Sequence, residues 1–368
     1  MVGHHCPLPP HLVSFSLTLS PHLILVGGFL GAGKTTLLLA AGSRLRAAGK
    51  RVGVILNDQG GELVDTRLAE AAGFPAREII GGCFCCRFSD FVRAASSLTA
   101  SESPEVILAE PVGSCTDLCA TILQPLRRYN ADQYRLAPLT VLIDPSRAED
   151  LLSPDADPLD SYLFHKQIAE ADLVRFTKAD LHTSFPQIPG ADARPLSAQT
   201  GAGIAEWLDE VLSWEGVPGT RLLDIDYARY AEAEAALGWL NWRGQLDLQR
   251  PLTPAAVIGP LTADLDRLLS AARIPIAHLK AFVSSEDGHV KASVCRNGER
   301  PAVAGTLDAP PASRCTITIN LRATGDPQAL SALVGQAVRD LPGDFWVDHA
   351  EAFRPSPPVP EHRFKEAV

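Results

Sequence analysis

The chain has 368 residues, of which 46% are hydrophobic and 21% charged, a composition typical of a globular protein long enough for two domains. A formal net charge of -10 argues against general binding to nucleic acid or to an anionic membrane surface. No apolar run reaches the roughly 18 residues that a membrane span needs. Residues 1–20 contain no Lys or Arg and make a poor secretory signal, so we expect a cytoplasmic protein with a loose arm at 1–21.

Short apolar runs and helical patterns then alternate along the chain. Strands are predicted at 22–28, 50–58, 76–80, 104–113, 138–146, 171–180 and 193–198, and helices at 34–48, 89–100, 115–127, 161–171 and 203–214. The apolar runs show no polar alternation, which is typical of a parallel sheet that helices cover on both faces. We therefore predict an α/β domain at 22–220 that is built on a mostly parallel sheet.

The first strand leads into a Gly-rich turn and a helix. Residues 28–35 (GFLGAGKT) match G-x-x-x-x-G-K-[ST] in the strand, turn and helix context of a P-loop, so the first domain is predicted to have the P-loop NTPase fold. Lys34 is predicted to reach the β- and γ-phosphates, and Thr35 to bind Mg²⁺. The other predicted phosphate-binding residues line the loop or the helix start, where N–H groups face an anion: Gly28, Gly31, Ala32, Gly33 and Thr36.

Acidic residues follow the second strand, where a nucleotide-sensing switch is expected. The segment 57–65 (NDQGGELVD) contains Asp58, Glu62 and Asp65, which are either functional acids or members of a solvated loop. The strand at 104–110 ends in Glu110, predicted to lie near Mg²⁺ and the attacking water. Gly113 is predicted to offer its N–H to the γ-phosphate and to report its loss.

Three of the eight cysteines cluster at Cys83, Cys85 and Cys86. Without a secretory signal, such cysteines indicate thiol chemistry or metal ligands rather than disulfides. Thiolates suit Zn²⁺, Co²⁺ or Cu(I). We expect two sulfurs to share an ion easily and the third to be strained, because adjacent residues of an extended segment point opposite ways. Gly81, Gly82 and Arg87 suggest an exposed turn, and a thiol redox site is the rival interpretation.

The cluster supplies three ligands and does not identify the fourth. It could be Cys115, a switch acid, a histidine, water or a residue of a second subunit. Ser114-x-x-Asp117 is a capping box, which would place Cys115 in the first turn of a helix. Our hypothesis is that Cys115 joins the metal shell in one nucleotide state, and the alternative is a packing residue. Cys119 is predicted to be a core residue.

A base-reading motif is expected late in the first domain. Thr177, Lys178 and Asp180 of FTKAD resemble the Asn-Lys-x-Asp of guanine-specific proteins, with Thr177 in place of Asn. Ser197 and Ala198 of LSAQTG resemble the loop that borders the guanine base. Guanine is therefore predicted, and ATP remains the alternative because of Thr177.

The second half of the chain changes pattern near 220. A small α+β domain is predicted at 226–350 in the order β-α-β-β-β-α, followed by a loose Pro-rich tail at 351–368. Strand alternation places His278, His289 and Cys295 on polar faces, which indicates either a second metal or partner site or a solvated sheet face. Cys315 is predicted to be a core residue.

Taken together, these motifs resemble the CobW group of the G3E GTPases, a family of metallochaperones. The matching features are GGFLGAGKTT, ILND-x-G, Cys-x-Cys-Cys, AEPVG, TKAD and SAQTG, in family order across about 22–215. The resemblance implies GTP hydrolysis coupled to the binding and delivery of Zn²⁺, Co²⁺ or Ni²⁺ to a client metalloprotein. It maps Cys83, Cys85 and Cys86 onto the metal motif, Glu110 onto the family glutamate and Asp180 onto the base reader.

The chain departs from the family pattern at Thr177 and in the presence of Cys115 and Cys119. No arginine finger can be placed, so slow turnover is predicted. Two other functions stay open: an ATP-using phosphotransferase, and a metal store or sensor that is indifferent to nucleotide. A homodimer is also left open.

Overall fold

The computed structural model of the protein describes residues 20–368, so His4, His5 and Cys6 of the predicted arm lie outside the described part. The first sheet has the order β3-β2-β4-β1-β6-β7-β8, with β5 also beside β1, and its pairings are parallel. Its strands are β1 (His22–Gly28), β2 (Val52–Asn57), β3 (Ala76–Ile79), β4 (Val106–Glu110), β5 (Arg135–Leu136), β6 (Thr140–Ile143), β7 (Leu173–Phe176) and β8 (Ala193–Pro195).

Helices cover both faces of this sheet. They are α1 (Lys34–Ala47), α2 (Val64–Ala71), α3 (Phe88–Glu102), α4 (Gln124–Tyr129), α5 (Pro145–Leu152), α6 (Pro158–Glu170), α7 (Ile204–Leu212) and α8 (Tyr227–Ala235), and a π-helical turn, Cys119–Leu123, precedes α4. Leu23 and Leu25 of β1 pack into one core, and Ile24 and Val26 pack into another on the opposite face. Burial on both faces explains the apolar runs without alternation, and the predicted α/β fold is confirmed.

The second sheet is antiparallel, in the order β12-β11-β10-β13-β9-β14. Its strands are β9 (Gly238–Leu252), β10 (Ile276–Ser285), β11 (Gly288–Val294), β12 (Ala302–Gly305), β13 (Ala312–Ala323) and β14 (Gly343–Phe353). Helices α9 (Pro254–Ala271) and α10 (Pro327–Arg339) pack on its apolar face. The structure contains two strands, β12 and β14, that the predicted β-α-β-β-β-α order did not include. Both are mostly exposed edge strands with little apolar alternation, so the pattern did not reveal them.

Packing differs from the predicted boundaries at both ends of the second domain. Tyr230 and Ala233 of α8 belong to the core of the first domain, although 226 was the predicted start of the second domain. The predicted end at 350 falls inside β14, because β9 is long enough to pair with it as far as Phe353. The long β9 therefore joins the two parts of the molecule.

The predicted loose tail is instead bound to the first domain. The N–H of Glu361 donates to Cys85 O at 2.9 Å, and the N–H of Phe364 donates to Ala120 O at 3.0 Å. Arg363 Nε forms a 2.7 Å ion pair with Asp117, whose side chain is fully buried. A Pro-rich segment has few hydrogen bonds of its own, so its free backbone groups can be satisfied by a neighbouring surface. In residues 20–368, no helix is both long and apolar enough to cross a bilayer.

Glu170, at the end of α6, is a buried acid that makes folding stability depend on pH. Thr116 Oγ1 and the N–H of Cys119 both donate to its carboxyl group at 3.0 Å. Burial raises its pKa to about 8. Because an unfolded glutamate has a pKa of about 4.3, the unfolded state loses its proton first, and stability falls as the pH rises from about 4.5 to 8.

Glu170→Gln should remove this part of the pH dependence, since an amide can keep both contacts without a charge. We expect the free energy of unfolding of the wild type to fall more than that of the variant between pH 5 and 8.5, by up to about 4 kcal/mol. Denaturant unfolding at several pH values measures the difference. The exposed Glu232→Gln is the control and should keep the wild-type slope; a parallel pH profile for Glu170→Gln would contradict the prediction.

Candidate nucleotide and metal site

The P-loop connects β1 to α1 with the geometry of a phosphate-binding turn. Gly33 precedes α1 with φ of 85°, a left-handed conformation that favours glycine. Lys34 is buried, and its Nζ donates to the carbonyl oxygens of Gly28 at 2.8 Å and Phe29 at 3.3 Å. Burial lowers its pKa, while Glu110 opposes the shift. Thr36 is exposed at the start of α1, where its N–H and hydroxyl can reach an anion.

Thr35 joins two carboxyl groups from different loops. Its Oγ1 lies 2.8 Å from Asp65 Oδ1 and 3.1 Å from Glu110 Oε1. A hydroxyl has a single hydrogen, so both contacts are hydrogen bonds when Glu110 is protonated and donates. Burial, followed by the charge of Asp65, raises the pKa of Glu110 to about 7, which agrees with this arrangement.

These oxygens fit Mg²⁺, which prefers carboxylate, hydroxyl and water ligands. Glu110 Oε2 is buried and has no hydrogen-bond partner in the part of the chain that the structure describes. Thr35 and Glu110 therefore offer hard oxygen donors at the predicted magnesium position. Asp65 is a third donor there, and sequence analysis named it only as one of several switch acids.

The predicted base-reading residues meet at the ends of β7 and β8. Thr177 Oγ1 donates to the carbonyl oxygen of Ala32 in the P-loop at 2.8 Å, so its hydroxyl ties this motif to the phosphate loop. Lys178 Nζ lies 2.6 Å from Asp144 Oδ2. Ser197 donates to Asp180 Oδ1, which places the predicted base-edge loop, with Ala198, against the carboxylate that would accept from guanine.

The segment after β4 contacts the P-loop directly. A side chain at Gly113 would place its Cβ 3.0 Å from Lys34 Nζ, so only glycine leaves this approach open. Gln167 of α6 holds the segment from behind, because its Nε2 donates to the carbonyl oxygens of Gly113 at 3.0 Å and Cys115 at 2.9 Å. Gly113 is therefore placed where it can sense a group bound to Lys34.

The three clustered cysteines converge in one turn. Cys83 Sγ lies 2.6 Å from Cys85 Sγ and 3.2 Å from Cys86 Sγ, and all three sulfurs lie within 4.8 Å of one another. The N–H groups of Cys86 and Arg87 both donate to Cys83 O at 3.0 Å, so the segment is a helical turn. The expected strain on a third sulfur is wrong, because that expectation assumed an extended backbone.

The predicted exposed turn is also wrong, since Cys83 and Cys85 are only 2% and 1% exposed. Phe84 and Phe91 pack beneath them with ring centroids 4.5 Å apart. Hydrogen bonds with Cys115, and then with Cys85 and Cys86, hold the pKa of Cys83 well below its usual range. This shift favours the thiolate of Cys83, the form that binds a soft metal.

Comparison with known proteins identifies the first domain. Residues 22–192 match the family model described as "CobW/HypB/UreG, nucleotide-binding domain". This segment of the chain thus has the nucleotide-binding domain of that family of G3E P-loop GTPases. The predicted recognition is confirmed.

Solved structures give weaker likenesses. The hydrogenase maturation factor HypB from Archaeoglobus fulgidus is 18% identical, with 51% of this chain and 87% of that chain covered and a TM-score of 0.35. HypB from Helicobacter pylori in complex with nickel is 16% identical, with 57% and 93% covered and a TM-score of 0.39. Zn(II)-bound YjiA GTPase from E. coli is 13% identical, with 86% and 99% covered and a TM-score of 0.33. A search of curated protein sequences gives no match.

Cys115 lies beside the cluster but not in a helix. The π-helical turn begins only at Cys119, and the predicted capping box is absent because Ser114 Oγ donates to Glu234 Oε1 at 2.6 Å instead. Burial, followed by its hydrogen bond with Cys83, raises the pKa of the Cys115 thiol. Cys119 is buried in the core as predicted. Ser114 is thus bound by a residue of α8 and does not cap a helix of its own.

Glu234 is a site residue that sequence analysis missed. Its side chain is buried, and Oε2 has no hydrogen-bond partner within the described residues. Burial, followed by the nearby charge of Cys83, raises its pKa to about 8. It lies in an Ala/Glu-rich helix that resembles an ordinary solvated helix in sequence, so no signal distinguished it from its exposed neighbours.

The first-switch acids are paired with the second domain rather than solvated. Arg322 Nη2 donates to both carboxylate oxygens of Asp58, to Oδ1 at 2.8 Å and to Oδ2 at 2.7 Å. Glu62 pairs with Arg67 at 3.1 Å and with Arg243 at 3.0 Å. The polar face of the second sheet, predicted to be solvated or to form a second metal or partner site, therefore covers the predicted switch segment of the first domain.

The predicted second metal site does not form in the described chain. His278 faces the nucleotide cavity, His289 stacks on Phe282 with centroids 5.1 Å apart, and Cys295 Sγ lies 3.9 Å from Gly31 O. Cys83, Cys85 and Cys86 are the one group of three or more metal-ligating residues found in residues 20–368. Cys315 is buried in the second core as predicted.

The tail lies across the cysteine turn. The N–H of Val359 donates to Cys86 Sγ at 3.1 Å, and the carboxylate of Glu361 accepts from Ser89. The ring of His362 packs on Phe88 with centroids 5.2 Å apart. The tail therefore restricts access to the half-buried Cys86.

Ending the chain after Pro358 should expose this thiol. We expect Cys86 to react with a small maleimide about tenfold faster or more, the factor that corresponds to about 1.4 kcal/mol of lost local protection. Arg363→Ala removes the ion pair to Asp117 and the hydrogen bond to Leu223 O but leaves the contact of the tail with Cys86, so it should give a smaller increase. Mass spectrometry of the labelled peptide measures both rates, and an unchanged rate in the shortened chain would contradict the contact.

Proposed function

We propose that the protein is a GTP-hydrolysing metallochaperone that couples nucleotide state to the binding and delivery of Zn²⁺, Co²⁺ or Ni²⁺. The match of residues 22–192 to the CobW/HypB/UreG nucleotide-binding domain supports GTP binding and a role in metal handling. The observation that carries the coupling is the segment 113–115. Gly113 adjoins Lys34 of the P-loop, and Cys115, two residues later, lies close enough to Cys83 to lower the pKa of its thiol.

The nucleotide half of the proposal follows from the P-loop and its neighbours. Lys34 binds the β- and γ-phosphates, and Thr35 and Glu110 hold Mg²⁺, which supplies positive charge to the phosphates when bound. Gly113 donates its N–H to the γ-phosphate and loses this contact after hydrolysis. Asp180 accepts from guanine, and Thr177 fixes the motif to the P-loop through Ala32.

The metal half of the proposal uses the converging thiols. Cys83, Cys85 and Cys86 supply three sulfurs, and Cys115 or Glu234 supplies the fourth ligand. Both belong to or contact the segment that follows Gly113, because Ser114 binds Glu234. A change at Gly113 would therefore move the fourth ligand relative to the other three. A shell that opens in one nucleotide state suits a carrier, which must release its cargo to a client protein.

The coupling is tested by measuring affinities for Zn²⁺, Co²⁺ and Ni²⁺ without nucleotide, with GDP and with a non-hydrolysable GTP analogue. We expect at least one metal to differ about tenfold or more between the two nucleotide states. Lys34→Ala is the matched control, since added nucleotide should no longer change its metal affinity. Equal affinities in all three states of the wild type would contradict the coupling and favour a metal store.

Base preference separates the GTPase from a phosphotransferase. We expect GTP to bind more tightly than ATP and to release inorganic phosphate in a protein-dependent reaction. Asp180→Asn should weaken GTP binding far more than ATP binding, because only guanine donates to that carboxylate. Tighter binding of ATP by the wild type would favour the ATP-using alternative.

A further inference from the structure

The second domain closes the phosphate side of the nucleotide site. One cavity is lined from the first domain by Lys34, Asp65, Glu110 and Gly113, and from the second domain by His278 and Lys280 of β10 and by Asn320 and Arg322 of β13. The apolar face of the same sheet packs on α9 and α10. Strand alternation therefore directs a row of polar and charged side chains at the P-loop.

Asp65 links Lys280 to the proposed magnesium position. Its Nζ lies 2.5 Å from Asp65 Oδ2, and Asp65 Oδ1 lies 2.8 Å from Thr35 Oγ1. Both side chains of the Lys280–Asp65 pair are 14% exposed. The lysine is thus held inside the cavity, beside the residues that face the γ-phosphate.

Several cations converge on this cavity. Burial lowers the pKa of His278 well below its usual range, and Lys280, Lys34, Lys291 and Lys178 lower it further. Burial, followed by the charge of Lys280, also lowers the pKa of Lys291 of β11. Lys291 forms no salt bridge with the residues that the structure describes. The cavity lining itself includes the cations of Lys34, Lys280 and Arg322 and the carboxyl groups of Asp58, Asp65 and Glu110, so it offers partners for the phosphate oxygens and for the magnesium ion of a nucleoside triphosphate.

We propose that Lys280 is a catalytic residue of GTP hydrolysis and that its ammonium group contacts the γ-phosphoryl group. The inference rests on the proposed GTPase function. In the reaction, the oxygen of water bonds to the γ-phosphorus while the bond from this phosphorus to the bridging oxygen breaks. The electron pair of the broken bond stays with GDP, the oxygen of the water becomes the fourth oxygen of inorganic phosphate, and the two protons of the water stay on the phosphate or pass to solvent.

Negative charge develops on the transferred group and on the bridging oxygen, so a positioned cation accelerates the step. Asp65 is the positioning residue, because its ion pair holds the ammonium in the cavity. The protein would thus carry within its own chain a cation that sequence analysis could not place. Lys280 lies more than 200 residues after the P-loop, in a strand with no nucleotide-binding motif.

Domain docking alone does not require Lys280. Arg322 and Arg243 already pair with Asp58 and Glu62, and Asn320 accepts the N–H of Val64 at 2.8 Å. Arg243 does not line the cavity. It therefore offers a matched control, since its removal breaks an interdomain ion pair without touching the phosphate side.

The test compares Lys280→Met, Lys280→Arg and Arg243→Met in the full chain. We expect Lys280→Met to lower the single-turnover rate of GTP hydrolysis about 100-fold or more, as loss of a transition-state contact does, and to leave the Kd for GDP within threefold. Aluminium fluoride should trap GDP on the wild type but not on Lys280→Met. Lys280→Arg should keep at least a tenth of the rate, and Arg243→Met should stay within threefold of the wild type.

Two outcomes would overturn the proposal while the GTPase function stands: a Lys280→Met rate within threefold of the wild type, or a loss of GDP affinity as large as the loss of rate. The second would make Lys280 a docking residue. If the wild type itself releases no phosphate from GTP, the proposed function fails, and the role of Lys280 fails with it.

Discussion

Replacement of Cys83 by serine should weaken transition-metal binding about 100-fold or more and leave the Kd for GDP within twofold. Outer-shell changes at metal sites already cost about 10- to 100-fold, so loss of a ligating sulfur should cost at least the upper value. Cys83 is the centre of the thiol group: its Sγ lies 2.6 Å from that of Cys85 and 3.2 Å from that of Cys86, and Cys115 is near enough to lower its pKa. Competition with a chelator of known affinity measures the change.

Cys315→Ser is the matched control, because it removes another buried thiol from the core of the second domain. Its metal affinity should remain within threefold of the wild type. Cys115→Ser and Glu234→Gln should weaken binding in one nucleotide state more than in the other. Unchanged affinity in Cys83→Ser would remove the cysteine turn as the metal site, and unchanged affinity of Cys115→Ser in every state would leave Cys115 as a packing residue.

Asp58→Ala should lower the free energy of unfolding by about 3 kcal/mol, because it leaves a buried guanidinium without its carboxylate. Arg322 is 4% exposed, its Nη2 contacts both carboxylate oxygens of Asp58, and its guanidinium lies over Trp239 at 4.1 Å. Denaturant unfolding followed by tryptophan fluorescence measures the loss. The pair joins the first switch to the second sheet, so the variant should also separate the unfolding transitions of the two domains.

The exposed Asp264–Arg267 pair of α9, at 2.9 Å, provides the comparison. Asp264→Ala should cost less than about 1 kcal/mol, as exposed ion pairs usually do. The double variant Asp58→Ala with Arg322→Leu should be more stable than Asp58→Ala alone, since no unpaired charge remains. Equal losses in Asp58→Ala and Asp264→Ala would show that the interdomain pair adds nothing beyond a surface contact.

Local patterns predicted the first domain well because each segment contains its own structural information. An apolar run that is buried on both faces, such as β1, has no alternation, and the G-x-x-x-x-G-K-[ST] spacing between a strand and a helix is the local signature of a P-loop. The cysteine cluster was recognisable for the same reason, as three residues within four positions. Its exposure was predicted wrongly, because Phe84, Phe91 and the distant tail determine burial.

Predictions that depended on distant partners failed or could not be made. Ser114 resembled a helix cap, but Glu234, 120 residues later, binds its hydroxyl. The tail resembled a loose Pro-rich segment, but Cys85, Cys86 and Asp117 bind it. The strand β14 has too little apolar character to be recognised, and it forms because β9 offers an unpaired edge.

The sequence by itself determined the parallel α/β domain, the P-loop and the cysteine cluster, because each depends on short-range order along the chain. Only the tertiary structure decided which groups surround these motifs. It placed Asp65 and Lys280 beside Thr35, and Cys115 and Glu234 beside Cys83. The physical reason is that burial and pairing energies depend on distance in space, and Lys280 and Glu234 come close to their partners only after both domains have folded.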